Sequence, residues 1–495
     1  MATPKYKFQL YKKLHAETAA IYAEAKAFGS ELLKANGIAP GSIGLTGGVS
    51  GCPAPLRKDI MKASEEGAKK VIPLAGLVEQ EREIVKDVYG DDYDCCPTST
   101  CEAGLWATFG SLFTPPAHGM GDCYRARYIA PWEKHLHHQG GYGRPFPAKY
   151  KDFCADRGST PGELGFYGKR QNNTDVVIVP LAGANYDVHG IKSWACPLLS
   201  HVDPEESAKN IAKAAEIHAE YLTGITSLGY ETPGYGYGVK DEEGTPILQK
   251  KIAEIAKQYN VPYVIDNAWG LTFVGCNPLK TGADAIIYSM DKATGSATSG
   301  LVIGKSDVMV NVRRSLGMHG DRYGTTASYG KAAFVTFDPG KEALLTQIQA
   351  LKVLRDTPEV LTKPTDDMEQ IIIEEFSASS ALKKYIDAGE ITFTKAYNGT
   401  AVEVNYENTW KDYATTGRMG IPIYSIEDMY GGGHQLQVGM SQMGVVPTIA
   451  YDGNIYISTS LGTTDEDGNL LEKEMRTAVK CQVKLMEIIM EHAGL

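Results

Sequence analysis

No stretch of this chain approaches the ~20 consecutive apolar residues that a membrane-spanning helix takes. Positive charge is in deficit. The 49 Lys and Arg face 60 Asp and Glu, for a formal net charge of −11, which argues against general nucleic-acid or membrane-surface binding. Residues 1–7 hold no apolar h-region, so no secretory signal is expected, and the expected location is the cytoplasm. The nine cysteines form no CxxC pair. Cys95, Cys96 and Cys101 cluster and His135, His137 and His138 follow, but the spacing is not one that zinc sites use, and no metal is assigned. An odd cysteine count without a signal fits reduced thiols. No GxGxxG follows the first strand-like run, which removes the dinucleotide-binding reading. There is no internal repeat and no low-complexity segment.

What remains is a 495-residue chain, 43% hydrophobic, long enough for a large core and two to three domains. An apolar period over 8–36 puts Leu10, Tyr11, Leu14, Ile21, Tyr22 and Ala25 on one helix face, with Thr18 its one polar member. Helical patterns follow at 60–68, 77–88, 102–112, 204–221 and 246–258. Between them lie strand-like runs ending near Pro97, Ala130, Pro180, Leu228 and Ile265, then Ala285–Tyr288 and Gly300–Ile303. Alternating strands and helices imply a mainly parallel sheet with both faces covered. The stretch 131–173 is long for a loop and reads as a lid or a subunit contact. Beyond about 345 the pattern changes: helices at 341–355 and 367–387, a strand at 391–393, and a final helix at 471–492. The expected division is an N-terminal helical arm and loop at 1–75, a large domain at 76–345 and a smaller α+β domain at 346–495.

The chemistry concentrates after three strands. Lys292 follows Ala285-Ile286-Ile287-Tyr288, and Asp266 ends Val264-Ile265. A strand-end Asp and, one βα unit later, a strand-end Lys are what pyridoxal 5'-phosphate (PLP) chemistry requires. The amine forms a Schiff base, and the carboxylate keeps the pyridine nitrogen protonated, so that the ring is an electron sink. The third element, Thr98-Ser99-Thr100-Cys101-Glu102-Ala103, follows a strand and opens a helix. Its hydroxyls, its amides and the helix dipole suit a phosphate.

In this order and spacing, the three elements resemble the fold-type I PLP enzymes. Thr98-Ser99-x-x-Glu102-Ala103 is similar to the phosphate loop of the group II amino-acid decarboxylases and sphingosine-phosphate lyases. Over 261–304 the chain resembles the O-phosphoseryl-tRNA:selenocysteinyl-tRNA synthase family, with Asn267-Ala268-Trp269-Gly270 followed by Ser289-x-Asp291-Lys292. It departs from that family at Asp266, where the family carries Asn. The departure restores the pyridinium carboxylate and points away from the tRNA-linked activity. The resemblance implies an aspartate aminotransferase-like α/β large domain plus a smaller α+β C-terminal domain. It also places His135, after Tyr128-Ile129-Ala130-Pro131, on the cofactor ring, with His137 the runner-up. Arg322, in Asp321-Arg322-Tyr323-Gly324, is implied as a partner of an anionic substrate group. Arg418 is a candidate carboxylate anchor by fold analogy. The region from Arg322 to Ser328 is implied to reach a neighbouring subunit, so a homodimer or homotetramer is expected. Trp269 and Phe273 read as core.

The expectation is thus a PLP-dependent lyase acting on an amino acid or related amine, by decarboxylation, β-elimination or retro-aldol cleavage. Catalysis falls to Lys292, Asp266 and His135. The cofactor is held by Thr98, Ser99, Thr100, His135, Asp266 and Lys292, and the substrate by Arg322 and Arg418. The alternative is a PLP-dependent transferase, by β-replacement or transamination. A second alternative, a non-catalytic binding protein that kept the fold, is disfavoured by the presence of both Lys292 and Asp266.

Overall fold

The computed structural model describes residues 7–46, 55–113, 126–133, 144–145, 174–189, 194–316, 337–410, 420–422, 435–451, 453–459 and 461–495. The chain opens with α1 (Lys7–Asn36), α2 (Lys58–Ala68) and α3 (Leu74–Tyr89). Strand β1 (Tyr93–Thr98) leads into α4 (Cys101–Leu112), and then come β2 (Ala126–Pro131), β3 (Arg144–Pro145), β4 (Thr174–Val179) and the hairpin β5 (Asn185–His189) and β6 (Trp194–Leu198). Helix α5 (Pro204–His218), β7 (Leu222–Leu228), α6 (Ile247–Gln258), β8 (Tyr263–Asn267), the short α7 (Pro278–Thr281), β9 (Ala285–Ser289), β10 (Gly300–Lys305) and α8 (Ser306–Ser315) follow.

Eight of these strands form one sheet in the order β1-β10-β9-β8-β7-β2-β4-β3. Seven run in one direction, and β10 alone is reversed. The central strands are buried on both faces, as their unbroken apolar runs require. Side chains alternate between two cores. Tyr263 and Ile265 of β8 face α3, α5, α6 and a later helix, α9 (Lys341–Asp356), while Val264 faces α4 and α8. Caps fix the helix starts. Asp203 accepts from the amides of Glu205 and Glu206, with Pro204 at the first helical position, as expected for α5. Asp94, at the start of β1, is buried between Arg82 of α3 (2.6 Å) and Arg313 of α8, which ties both helices to the edge strand. Removing one partner of such a buried pair costs about 3–5 kcal/mol.

The remaining helices are α10 (Glu359–Ala378), α11 (Ser380–Asp387), α12 (Gln435–Met443) and α13 (Glu472–Ala493). They surround a four-stranded sheet, β11 (Thr392–Ala396), β12 (Ala401–Asn405), β14 (Asn454–Ser458) and β13 (Ile449–Tyr451), with β12 and β14 inside. The expected helix at 367–387 is two helices. Ser379 breaks it and caps α11 through the amide of Leu382, and Pro364, which reads as a boundary in a sequence, lies inside α10. Helix α1 buries Leu10, Leu14, Ile21 and Ala25 in this second core, against α12 and α13. Trp269 is core, as expected, and stacks on Tyr456 of β14 at 4.3 Å. Phe273 packs half-buried beside the same core. No described helix is long and apolar enough to cross a membrane. Most of the long segment at 131–173 lies outside the described residues.

Candidate active site

The sheet register brings the three chemical elements to one edge. Strands β1, β9 and β8 are parallel, so their carboxyl ends lie together. Thr98 pairs with Gly300, Gly300 pairs with Ser289, and Tyr288 pairs with Asn267, the residue after Asp266. Asp266 follows the alternation of β8 to the α4 side, is wholly buried, and accepts from the amide of Ala268 at 3.2 Å. Lys292 is half-buried in the turn beyond β9, where its carbonyl accepts from Gly295 at 2.9 Å. Gly295 has φ +72°, a conformation that side-chain-bearing residues rarely adopt. Asp291, beside Lys292, is buried and accepts from the Ser289 hydroxyl.

The turn after β1 is built as a cradle. Thr100 is the N-cap of α4, and its hydroxyl oxygen accepts from Ala103 at 3.0 Å. The amides of Cys101 and Glu102, in the first turn, are those for which a helix supplies no internal partner. Thr98 is wholly buried and donates to the Thr100 carbonyl at 2.8 Å, so it braces the turn from behind. Ser99 is half-buried, with its amide on the Phe337 carbonyl at 2.6 Å. Cys101, at the start of α4, lies within electrostatic reach of both charged groups, Asp266 and Lys292. Burial raises the Cys101 thiol well above its ordinary pKa, Asp266 adds to that rise, and Lys292 opposes it. One thiol at the start of α4 therefore feels both residues.

The donor set fits PLP: a primary amine, a buried carboxylate and a helix-start anion cradle, from three neighbouring strand ends. His135, Arg322 and Arg418 lie outside the described residues, as does His137. Among the described residues, no cluster of three metal-binding side chains occurs. Cys95 and Cys96 are buried in β1, where burial raises both thiols. Sequence reasoning overlooked Gly300. An ideal Cβ there would lie 2.5 Å from the Thr100 carbonyl oxygen, so only glycine lets β10 pass the cradle. A glycine opening a strand is itself a sign of close backbone approach.

The fold is shared with solved structures. The chain aligns with SepCysS, solved in complex with the N-terminal domain of SepCysE, over 91% of this chain and 95% of that one, at 13% identity and a TM-score of 0.51. A serine palmitoyltransferase from S. paucimobilis, solved with PLP and myriocin, aligns over 87% and 84% at 11% identity, with a TM-score of 0.49. An aspartate aminotransferase from Thermus thermophilus aligns over 96% and 98% at 14% identity, with a TM-score of 0.48. No protein-family model matches the chain, and no curated protein sequence matches it. Fold and strand order together define a mixed α/β architecture built on a mainly parallel sheet, and the likeness to SepCysS extends over nearly the whole of both chains.

Proposed function

We propose that this chain is a PLP-dependent lyase acting on an amino acid or related amine, with Lys292 as the attachment point of the cofactor. The reading rests above all on the meeting of Asp266, Lys292 and the Thr98–Thr100 turn at the carboxyl ends of β8, β9 and β1. When bound, PLP supplies an electron sink for negative charge developing at the substrate's α-carbon.

The protein's own groups do the rest. The amides at the start of α4 and the hydroxyls of Ser99 and Thr100 hold the phosphate, with the helix dipole favouring its charge. Asp266 holds a proton on the pyridine nitrogen. Its burial keeps water from competing and strengthens the charge pairing. The Lys292 amine, on a turn of the half-buried surface, moves a proton at the substrate's α-carbon. His135 is assigned to the cofactor ring, and Arg322 and Arg418 to the substrate's anionic group, where a planar guanidinium suits a carboxylate. A homodimer or homotetramer in the cytoplasm completes the reading. The same groups serve the transferase alternative, and product analysis separates the two: carbon dioxide, free ammonia or an aldehyde for the lyase, an aminated acceptor or a β-substituted amino acid for the transferase.

The test is cofactor trapping. The purified protein should absorb at about 410–430 nm, as expected of PLP linked to a lysine. Borohydride should fix the cofactor on Lys292, as located by peptide mapping. A stable adduct on another lysine, or none, sinks the assignment.

A further inference from the structure

The backbone that carries Asp266 is held by a side chain from the turn between β11 and β12. Asn398 lies in the short turn between β11 and β12 and is almost wholly buried. Its amide pairs reciprocally with that of Asn267, at 3.0 and 3.1 Å. Its Nδ2 also donates to the Gly229 carbonyl at 2.7 Å, and its Oδ1 accepts from the Cys276 amide at 3.4 Å. The Asn398 carbonyl accepts from Leu271. Gly229 in turn donates to the Asp266 carbonyl at 2.7 Å. Asp266 is therefore flanked by two residues that Asn398 grips, Asn267 directly after it in β8 and Gly229 one residue beyond the end of β7. Gly229, Gly270 and Gly275 pack around this amide pair so closely that a Cβ on any of them would collide with it. The neighbouring Thr400 has φ +46°, so the turn takes a conformation that non-glycine residues seldom adopt.

We propose that Asn398 is a positioning residue through which the second domain fixes the Asp266 carboxylate for the cofactor's ring nitrogen. The proposal rests on the PLP reading above. A surface tie between domains would not show this arrangement. Asn398 spends every polar atom of its side chain on Asn267 and on the backbone of Gly229 and Cys276, which pack beside the Asp266 segment. By contrast, the exposed contact between His201 and Asn408 at 2.6 Å also joins the domains but touches neither β8 nor its flanks.

The experiment is a double-mutant cycle on cofactor affinity. PLP dissociation constants and the pH dependence of the visible band are measured for Asn398→Ala in the wild-type and Asp266→Asn backgrounds, with Asn408→Ala as the control. Asn398→Ala should weaken PLP by roughly 10–100-fold in the wild type, the loss expected for a displaced charge-assisted contact, and shift the titration of the band. In the Asp266→Asn background the same change should cost less than about threefold, because the group it positions is gone. Asn408→Ala should leave affinity unchanged. An equal loss in both backgrounds would make Asn398 a structural tie only and overturn the proposal, as would wild-type affinity in Asn398→Ala. Equal affinity of the wild type and Asp266→Asn overturns the assignment of Asp266 itself, and the positioning role with it. Should Asn398→Ala not fold, Asn398→Ser and Asn267→Ser carry the same comparison.

Discussion

Replacing Gly300 by Ala puts the site's geometry to a direct test. The new methyl would sit 2.5 Å from the Thr100 carbonyl oxygen, 2.6 Å from its carbon and 2.7 Å from the Cys101 nitrogen. Ordinary contact begins at 3.4 Å, so the closest approach falls about 0.9 Å short. All three neighbours are backbone, at the cap and first residue of α4, and cannot rotate aside. On the other side, Gly300 is pinned in the ladder between Thr98 and Ser289, and its carbonyl accepts from Gln347 at 3.0 Å. The strain must therefore push the start of α4 away from the sheet. Overpacking of this kind costs about 1–3 kcal/mol. The same movement displaces the cradle, and PLP affinity should fall by roughly 10–100-fold through lengthened charge-assisted hydrogen bonds. Urea unfolding of the cofactor-free protein reads the first effect, and a PLP titration reads the second. Gly76→Ala is the internal control. It lies inside α3 with nothing within 4 Å of the new atom and should stabilise by about 0.5–1 kcal/mol. Wild-type stability and affinity in Gly300→Ala would refute the close approach. Lost stability with unchanged affinity would keep the packing and reject the phosphate cradle.

Asp266→Asn should retain PLP with weakened affinity and lose most of the turnover, because a neutral amide does not hold the ring nitrogen protonated; undiminished kcat would remove Asp266 from the cofactor. Glu81 of α3 is wholly buried, and neither of its carboxylate oxygens has a hydrogen-bond partner among the described residues. Burial raises its pKa well above the ordinary 4.5. The folded state therefore holds this proton more tightly than the unfolded chain does. Its contribution is complete below pH 4.5 and is lost as pH rises towards the folded pKa, at up to about 1.4 kcal/mol per pH unit. Glu81→Gln should flatten the urea stability profile over about pH 5–8, and an unaltered slope would show that the group is not buried uncharged.

The parts of this site that are legible in the sequence are those with local signals. Lys292 and Asp266 each end an apolar run, and Thr100 precedes a helix with the chemistry of a cap. Two consecutive turns or one strand contain all the information needed. Reversed β10 is legible as a strand but not in its direction, because an apolar run of both-face burial reads the same either way. Asn398 carries no local mark. It stands in a short turn, and its partner Asn267 is 131 residues away. Strands β12 and β14 escape for another reason: Ala401–Asn405 and Asn454–Ser458 are short and, flanked by polar residues, too brief to fix a period. The packing of α1 is likewise beyond periodicity, which gives a helix its buried face but not the surface that meets it.

The placement of β1 has a consequence for how the protein is made. Among the described residues its one ladder partner is β10, so Thr98 has no strand to pair with until Gly300 has been synthesised. At ~5–20 residues per second, the ribosome delivers that partner about 10–40 s later. Helix α1 waits longer still, since its apolar face closes on α13 at the other end of the chain. The nascent polypeptide thus carries an unpaired strand for about 200 of its 495 residues and an uncovered helix for longer, and the turn after β1 meets the ends of β8 and β9 only once the sheet has closed. On the proposed function, cofactor capture is then a late event in the life of each molecule, and shielding those two surfaces during synthesis falls to whatever chaperones attend the ribosome.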